Sequence, residues 1–176
     1  MFQRILVGVD SSMTSGQVFE SALVIAKENK AIMMIEHVLS GEDEGSPILP
    51  PVATGYYFPV VSSDSYSYYR NQWDAYEKKG LALLETFVNK AKAVGVEAES
   101  KQSLGSPGRQ ICETTRLWNA DLVVTGRRGH TGLSELFLGS VSNYILHHVP
   151  CSVLIVQSQS KEETVEKEVS ELAHAT

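Results

Sequence analysis

Short apolar runs alternate along this chain with longer segments in which apolar residues return every three or four positions. RILVGV (4–9) is apolar almost throughout and rich in branched residues, the pattern of a strand covered on both faces. Beyond it, Thr14 and Gln17 stand at capping-box spacing, and Val18, Ala22, Ile25 and Ala26 recur at helical intervals. AIMMIEHV (31–38) predicts a second strand. A long helix is expected from about residue 70, with Leu84, Phe87, Val88 and Ala91 on one face and its end at Gly95. VEAESK (96–101) is a third strand, and Ser106 followed by Pro107 opens a helix with Ile111, Thr115 and Trp118 on one stripe, stopping near Asn119. DLVVTG (121–126) is a fourth strand. Ser140 begins a helix with Val141, Tyr144, Ile145 and His148 inward, Pro150 ends it, and SVLIVQ (152–157) is the fifth strand. Strands alternating with helices imply βαβ units and a mainly parallel sheet with helices on both faces, the doubly wound α/β class.

Two segments break the alternation. Residues 40–70 hold four of the six prolines and five of the seven tyrosines, and read as a loop insertion, either one that docks on a partner or on the mouth of a site or a plainly disordered stretch. Residues 158–176 form an acidic tail. Val165, Val169 and Leu172 follow helical spacing there, among five Glu and only Lys161 and Lys167, which suits a marginal helix better than core.

Composition narrows the class. The chain has 176 residues, of which 43% are hydrophobic and 20% charged, as expected of one globular domain. The net charge of −6 argues against a nucleic-acid partner, which calls for a clustered basic face. No apolar run approaches the roughly 18 residues of a membrane span, and MFQRILVGVD lacks the apolar core of a signal peptide, so a cytoplasmic location is the expectation. Cys112 and Cys151 lack metal-ligand spacing and read as small core residues.

Ligands of open parallel sheets bind beyond the carboxyl ends of the strands. Two loops qualify: the one after the first strand, with Asp10, Ser11 and Ser12, and the one after the fourth, with Gly126 and Gly129. Those glycines allow a tight turn with amides turned inward. Gly139 and Ser140 stand at a helix start, where unpaired N–H groups and the dipole favour an anion. Ser140 and Ser142 hydroxyls could add donors. Together these features suit a ligand with phosphates, although loop glycines and a helix cap also occur for structural reasons alone. Neither the dinucleotide G-x-G-x-x-G pattern nor the P-loop is present. His147 and His148 are adjacent and cannot share a metal as i, i+4 histidines do. No catalytic Ser, His and acid arrangement can be assembled.

The spacing Gly126-x2-Gly129-x9-Gly139-Ser140 matches the G-x2-G-x9-G-[ST] signature of universal stress proteins, specifically their ATP-binding subgroup. ILVGVDSS, EHV, ADLVVTG and PCSVLIVQ resemble the family's strands one, two, four and five, so the resemblance covers residues 1–157 apart from the insertion. It implies a five-stranded Rossmann-like sheet of order 3-2-1-4-5 and an adenine nucleotide, ATP in the first place, with Mg²⁺. It further implies that Gly8 and Val9 line the base pocket and that Val38 meets adenine through its main chain. Asp10 would sit against ribose or the phosphate-bound Mg²⁺, and Gly126, Gly129, Gly139, Ser140, Val141 and Ser142 would hold ribose and phosphates. Arg127 and Arg128 fall where the family varies, and either could reach a phosphate or simply stand solvated, since a backbone cradle does not require them. The implied function is a nucleotide-dependent stress sensor or signalling protein, acting as a homodimer paired through the last strand. An AMP or cyclic-nucleotide receptor and an ATP-using adenylylating enzyme are the alternatives.

Overall fold

The computed structural model describes residues 1–41, 43, 46–47, 63–127 and 138–157, with side chains from 67 onward in the second helix. The elements run β1 (Arg4–Val9), α1 (Ser15–Asn29), β2 (Ile32–Leu39), α2 (Ser63–Ala93), β3 (Ala98–Leu104), α3 (Pro107–Trp118), β4 (Leu122–Gly126), α4 (Ser140–His148) and β5 (Ser152–Val156). All pairings are parallel and the order is β3-β2-β1-β4-β5. β1 lies in the middle, which is why RILVGV is apolar almost throughout.

Alternate residues of each strand feed two cores. Ile5, Val7, Val9, Met33 and Ile35 pack with Val18, Phe19 and Ala22 of α1 and with Leu84, Phe87 and Ala91 of α2. Leu6, Met34, Val38 and Val123 pack on the other face against Ile111 and Cys112 of α3 and Ile145 of α4. The Phe19 and Phe87 rings stack at 4.4 Å, joining α1 to α2. Such a pair is worth about 0.5–1.5 kcal/mol beyond the area it buries. Chain reversals use residues that tolerate the left-handed region: Asn119 (φ 52) caps α3 and Gly95 (φ 81) follows α2. The Asp121 carboxylate accepts from the amides of Gln3 (2.7 Å) and Arg4 (3.1 Å), fixing the start of β1 beside β4.

Several expectations change. Thr14 precedes α1 with helical dihedrals and makes no side-chain cap, so there is no capping box; its hydroxyl instead lies 2.9 Å from that of Ser12. β3 runs to Leu104 rather than ending at 101, because the polar residues Lys101, Gln102 and Ser103 continue the ladder with β2 and find polar partners there. His148 is exposed, its ring stacked on Tyr144 at 3.9 Å; only Ser142 and Ile145 of α4 are buried. The 40–70 segment is not a loop throughout. Between Pro59 and Gly80 no proline or glycine interrupts the chain, and α2 begins at Ser63. Tyr69, Trp73 and Tyr76, three or four residues apart, therefore form an edge-to-face ladder along that helix, with centroids 6.2 and 5.5 Å apart. Residues 48–62 and the tail 158–176 lie outside the described residues.

Candidate functional site

From β1 the chain passes through α1 to β2 on one side, and from β3 it returns through α3 to β4 on the other. These departures in opposite directions open a crevice at the carboxyl ends of β1 and β4, where open α/β sheets bind ligands. About 580 Å³ of non-atom space lies in the crevice, its open mouth included. Gly8, Val9 and Asp10 form its floor, Thr14, Ser15 and Val18 of α1 one wall, and Pro107 and Ile111 of α3 with Val141 of α4 the other. Thr125 and Gly126 close the β4 end, and Val38, Ser40 and Asp43 close the β2 end.

The structure brings Gly8, Val9, Asp10, Val38, Gly126 and Val141 together around this crevice. The two glycines answer a steric demand. A Cβ on Gly8 would stand 2.8 Å from Ile111 Cδ1, and one on Gly126 would stand 3.2 Å from Val18 Cγ2. Gly126 is not among the positive-φ residues, so its use is close approach to α1 rather than the tight turn expected of it. Asp10 Oδ1 accepts from the Ser12 amide (2.9 Å) and hydroxyl and from the Ser15 hydroxyl (2.7 Å), while Ser15 Oγ accepts from the Asp10 amide at 2.8 Å. Asp10 therefore braces its own turn as well as lining the crevice.

Gly139 is the N-cap of α4 and offers no side-chain cap to the first turn. Ser140 is exposed there. Ser142 does not point a hydroxyl outward: it is buried and donates to the Gly139 carbonyl at 3.0 Å, since at i+3 it faces back over its own turn. The Arg127 amide donates to Val156 O at 2.8 Å, fixing the exit of β4 against β5. Arg128, Gly129 and His130 lie outside the described residues.

A buried polar group at the β2 end was not foreseen. His37, fully buried, faces α2, and its neighbour Glu36, also fully buried, faces α3. The Gln102 amide nitrogen donates to Glu77 O (3.2 Å), a group that only accepts, and this orients its other N–H onto His37 Nδ1 at 3.2 Å. Nδ1 is then the acceptor and Nε2 carries the proton, 3.5 Å from Asp43 Oδ2. The same oxygen accepts from the hydroxyls of Tyr76 (2.6 Å) and Ser11 (3.3 Å). Helix α2 makes room for this group at Gly80, where a Cβ would stand 2.5 Å from His37 Nδ1. The available signal was the pair Glu36–His37 in an otherwise apolar strand; nothing in the sequence tied it to Asp43 or Tyr76.

Both cysteines are free, Cys112 buried and Cys151 partly so, and burial raises both thiols above their ordinary value of 9.0. Neither lines the crevice. Among the described residues no group of three or more His, Cys, Asp or Glu could hold a metal, and no helix is long and apolar enough to cross a membrane.

The profile of the universal stress protein family matches residues 1–157. The universal stress protein Sll1388 of Synechocystis is 32% identical over 156 residues, covering 89% of this chain and 98% of its own. Among solved structures, a universal stress protein family protein of Arabidopsis thaliana with AMP bound aligns with a TM-score of 0.61 at 24% identity, over 91% of this chain and 94% of its own. A universal stress protein in complex with cAMP aligns with a TM-score of 0.58 at 24% identity, over 90% and 98%. Fold, strand order and sequence agree, and the chain belongs to the universal stress protein family.

Proposed function

We propose that this chain is an ATP-binding universal stress protein that reports nucleotide occupancy to a partner, rather than an enzyme with a dedicated turnover. The observation that carries the reading is the crevice itself. It runs from Val38 near the end of β2, past Asp10, to Gly126 and to Val141 in the first turn of α4, whose N-cap Gly139 supplies no side-chain cap. A cleft beside the apolar Val9 and Val38 at one end and a helix N-terminus at the other suit a nucleotide, with base on the β2 side and phosphates on the β4 side. The related structures with AMP and cAMP support an adenine base.

In this reading the Val38 main chain meets the base, Gly8 and Val9 form the floor beneath it, and Asp10 lies at the ribose. The backbone from Gly126 through Gly129 to Gly139, Ser140 and Val141 takes the phosphates. Arg127 reaches toward them from the end of β4. The buried Ser142 shapes the turn through Gly139 instead of contacting the ligand. A single carboxylate among hydroxyls, as at Asp10, suits a Mg²⁺ that keeps most of its water and arrives with the nucleotide. Bound there, Mg²⁺ would neutralise phosphate charge. Among the described residues no lysine lines the crevice, and the Asp10 carboxylate there is engaged by the hydroxyls and amide of its own turn, which favours signalling over catalysis. The half-buried edge strand β5 is the surface on which a second copy would pair, giving a homodimer in the cytoplasm.

The test is to denature the purified protein, identify any released nucleotide, and titrate ATP, AMP and cAMP calorimetrically with and without Mg²⁺. ATP is expected to bind most tightly, and light scattering should give twice the 19.3 kDa chain mass. Preference for AMP or cAMP would move the assignment to a receptor for that nucleotide, since base and ribose contacts are shared. Pyrophosphate release would favour an adenylylating enzyme. Lack of adenine-nucleotide binding at millimolar concentration would reject the proposal.

A further inference from the structure

We infer that Asp43 is a specificity residue that reads the exocyclic amine of the bound base, so that the crevice selects adenine over a purine bearing a carbonyl at that position. The inference rests on the adenine-nucleotide reading and extends it to a residue that no part of the nucleotide signature contains.

Asp43 is 6% exposed, yet it lines the crevice at the β2 end, beside Val38 and Ser40. A carboxylate so enclosed is costly unless donors surround it. Here two hydroxyls from separate parts of the chain donate to it, Ser11 after β1 and Tyr76 on α2, and the buried His37 Nε2 on β2 stands 3.5 Å from the same oxygen without hydrogen-bonding it. His37 is itself aimed by Gln102, and α2 gives up a side chain at Gly80 to admit the pair. All of this converges on one carboxylate group and holds it at one edge of the crevice.

A carboxylate accepts and does not donate, and it has about four acceptor positions. It repels phosphate, so the phosphates belong at the other end, where β4 leads to the N-terminus of α4. β2 and β4 flank β1 on opposite sides, so the end of the ligand that reaches Asp43 is the base. Adenine presents an amino group there, a donor to the carboxylate. Hypoxanthine presents a carbonyl oxygen at the same position, which the carboxylate repels.

Isothermal titration of the full chain with AMP and with IMP tests this, for wild type, Asp43→Asn and Tyr76→Phe. Wild type is expected to bind AMP more tightly by about tenfold or more, the effect of one hydrogen bond to a charged acceptor. In Asp43→Asn the amide can turn an N–H toward a carbonyl, and the ratio should fall to about twofold. Tyr76→Phe keeps the ring but loses the 2.6 Å bond that positions Asp43, and an intermediate ratio is expected. Thermal melts followed by circular dichroism establish that each variant is folded. A wild-type ratio near one, or a folded Asp43→Asn with the wild-type ratio, would overturn the inference while leaving adenine-nucleotide binding intact. If Asp43→Asn does not fold, an unchanged ratio in Tyr76→Phe overturns it. A wild type that binds neither nucleotide removes both readings together.

Discussion

Gly80 offers a direct check on the packing around the buried polar group, because propensity and packing point in opposite directions there. It lies inside α2, and replacing an interior helical glycine with alanine ordinarily stabilises by about 1 kcal/mol. The added Cβ would stand 2.3 Å from Gln102 Nε2, 2.5 Å from His37 Nδ1 and 2.7 Å from His37 Cε1. Gln102 can swing away, at the loss of its bonds to His37 and Glu77, each worth about 1 kcal/mol. His37 cannot, since its ring is fully buried between the sheet and α2. Overpacking of this kind costs about 1–3 kcal/mol. With both lost bonds counted and the propensity gain subtracted, Gly80→Ala should be destabilised by about 2–4 kcal/mol, a fall in Tm of about 4–16 °C for a chain of this size. Gly16 in the first turn of α1 has no atom within 4 Å of a built Cβ, so Gly16→Ala keeps the gain, up to about 1 kcal/mol. Urea denaturation of the two variants beside wild type measures both. A stabilised Gly80→Ala would refute the close packing of α2 on His37.

Further outcomes follow from the crevice and the cores. Gly126→Val places a side chain against Val18 and into the crevice, so AMP affinity should drop at least about tenfold and stability by about 1–3 kcal/mol, read by titration and melting. Glu36 accepts from Ser103 at 2.9 Å with Lys101 3.6 Å away, and its Oε2 has no hydrogen-bond partner among the described residues. Glu36→Gln removes a buried charge and should lie within about 1 kcal/mol of wild type, whereas Lys101→Met leaves that charge uncompensated and should cost about 1–2 kcal/mol in urea melts, less than a fully buried pair because Lys101 is partly exposed. The two thiols should react slowly with a disulfide reagent at pH 8 in the native protein and quickly in urea. Because burial raises both above 9.0 in the folded chain, the unfolded thiols ionise first, so they favour folding below that pH and lose this contribution as pH rises through the folded values. Melts at pH 8 and 10, compared with a Cys112→Ala, Cys151→Ala variant, isolate that part of the alkaline loss.

Local rules made much of this protein legible. RILVGV reads as a doubly covered strand because β1 is the central strand of the sheet. Pro107 and Asn119 bound α3 where their backbone chemistry places them. Crevice residues carried by strand ends, such as Asp10, Val38 and Gly126, could be located because in a parallel α/β sheet the strand ends and the binding edge coincide. The capping box at Thr14 failed because its hydroxyl and that of Ser15 are drawn into the Ser12 and Asp10 turn, a competition that spacing alone does not reveal.

The sequence by itself determined the alternation of elements, their approximate lengths, the family and the edge of the sheet that carries the crevice, since these depend on periodicity and on residues near one another in the chain. Tertiary structure decided which residues meet across it. Ser11, His37, Asp43, Tyr76 and Gln102 lie on five different stretches, and they converge only because β2 pairs with β3 and α2 crosses their face. Gly8, Gly80 and Gly126 were each ambiguous as letters. Their meaning came from Ile111, His37 and Val18, the side chains that fold into the space where a Cβ would otherwise stand.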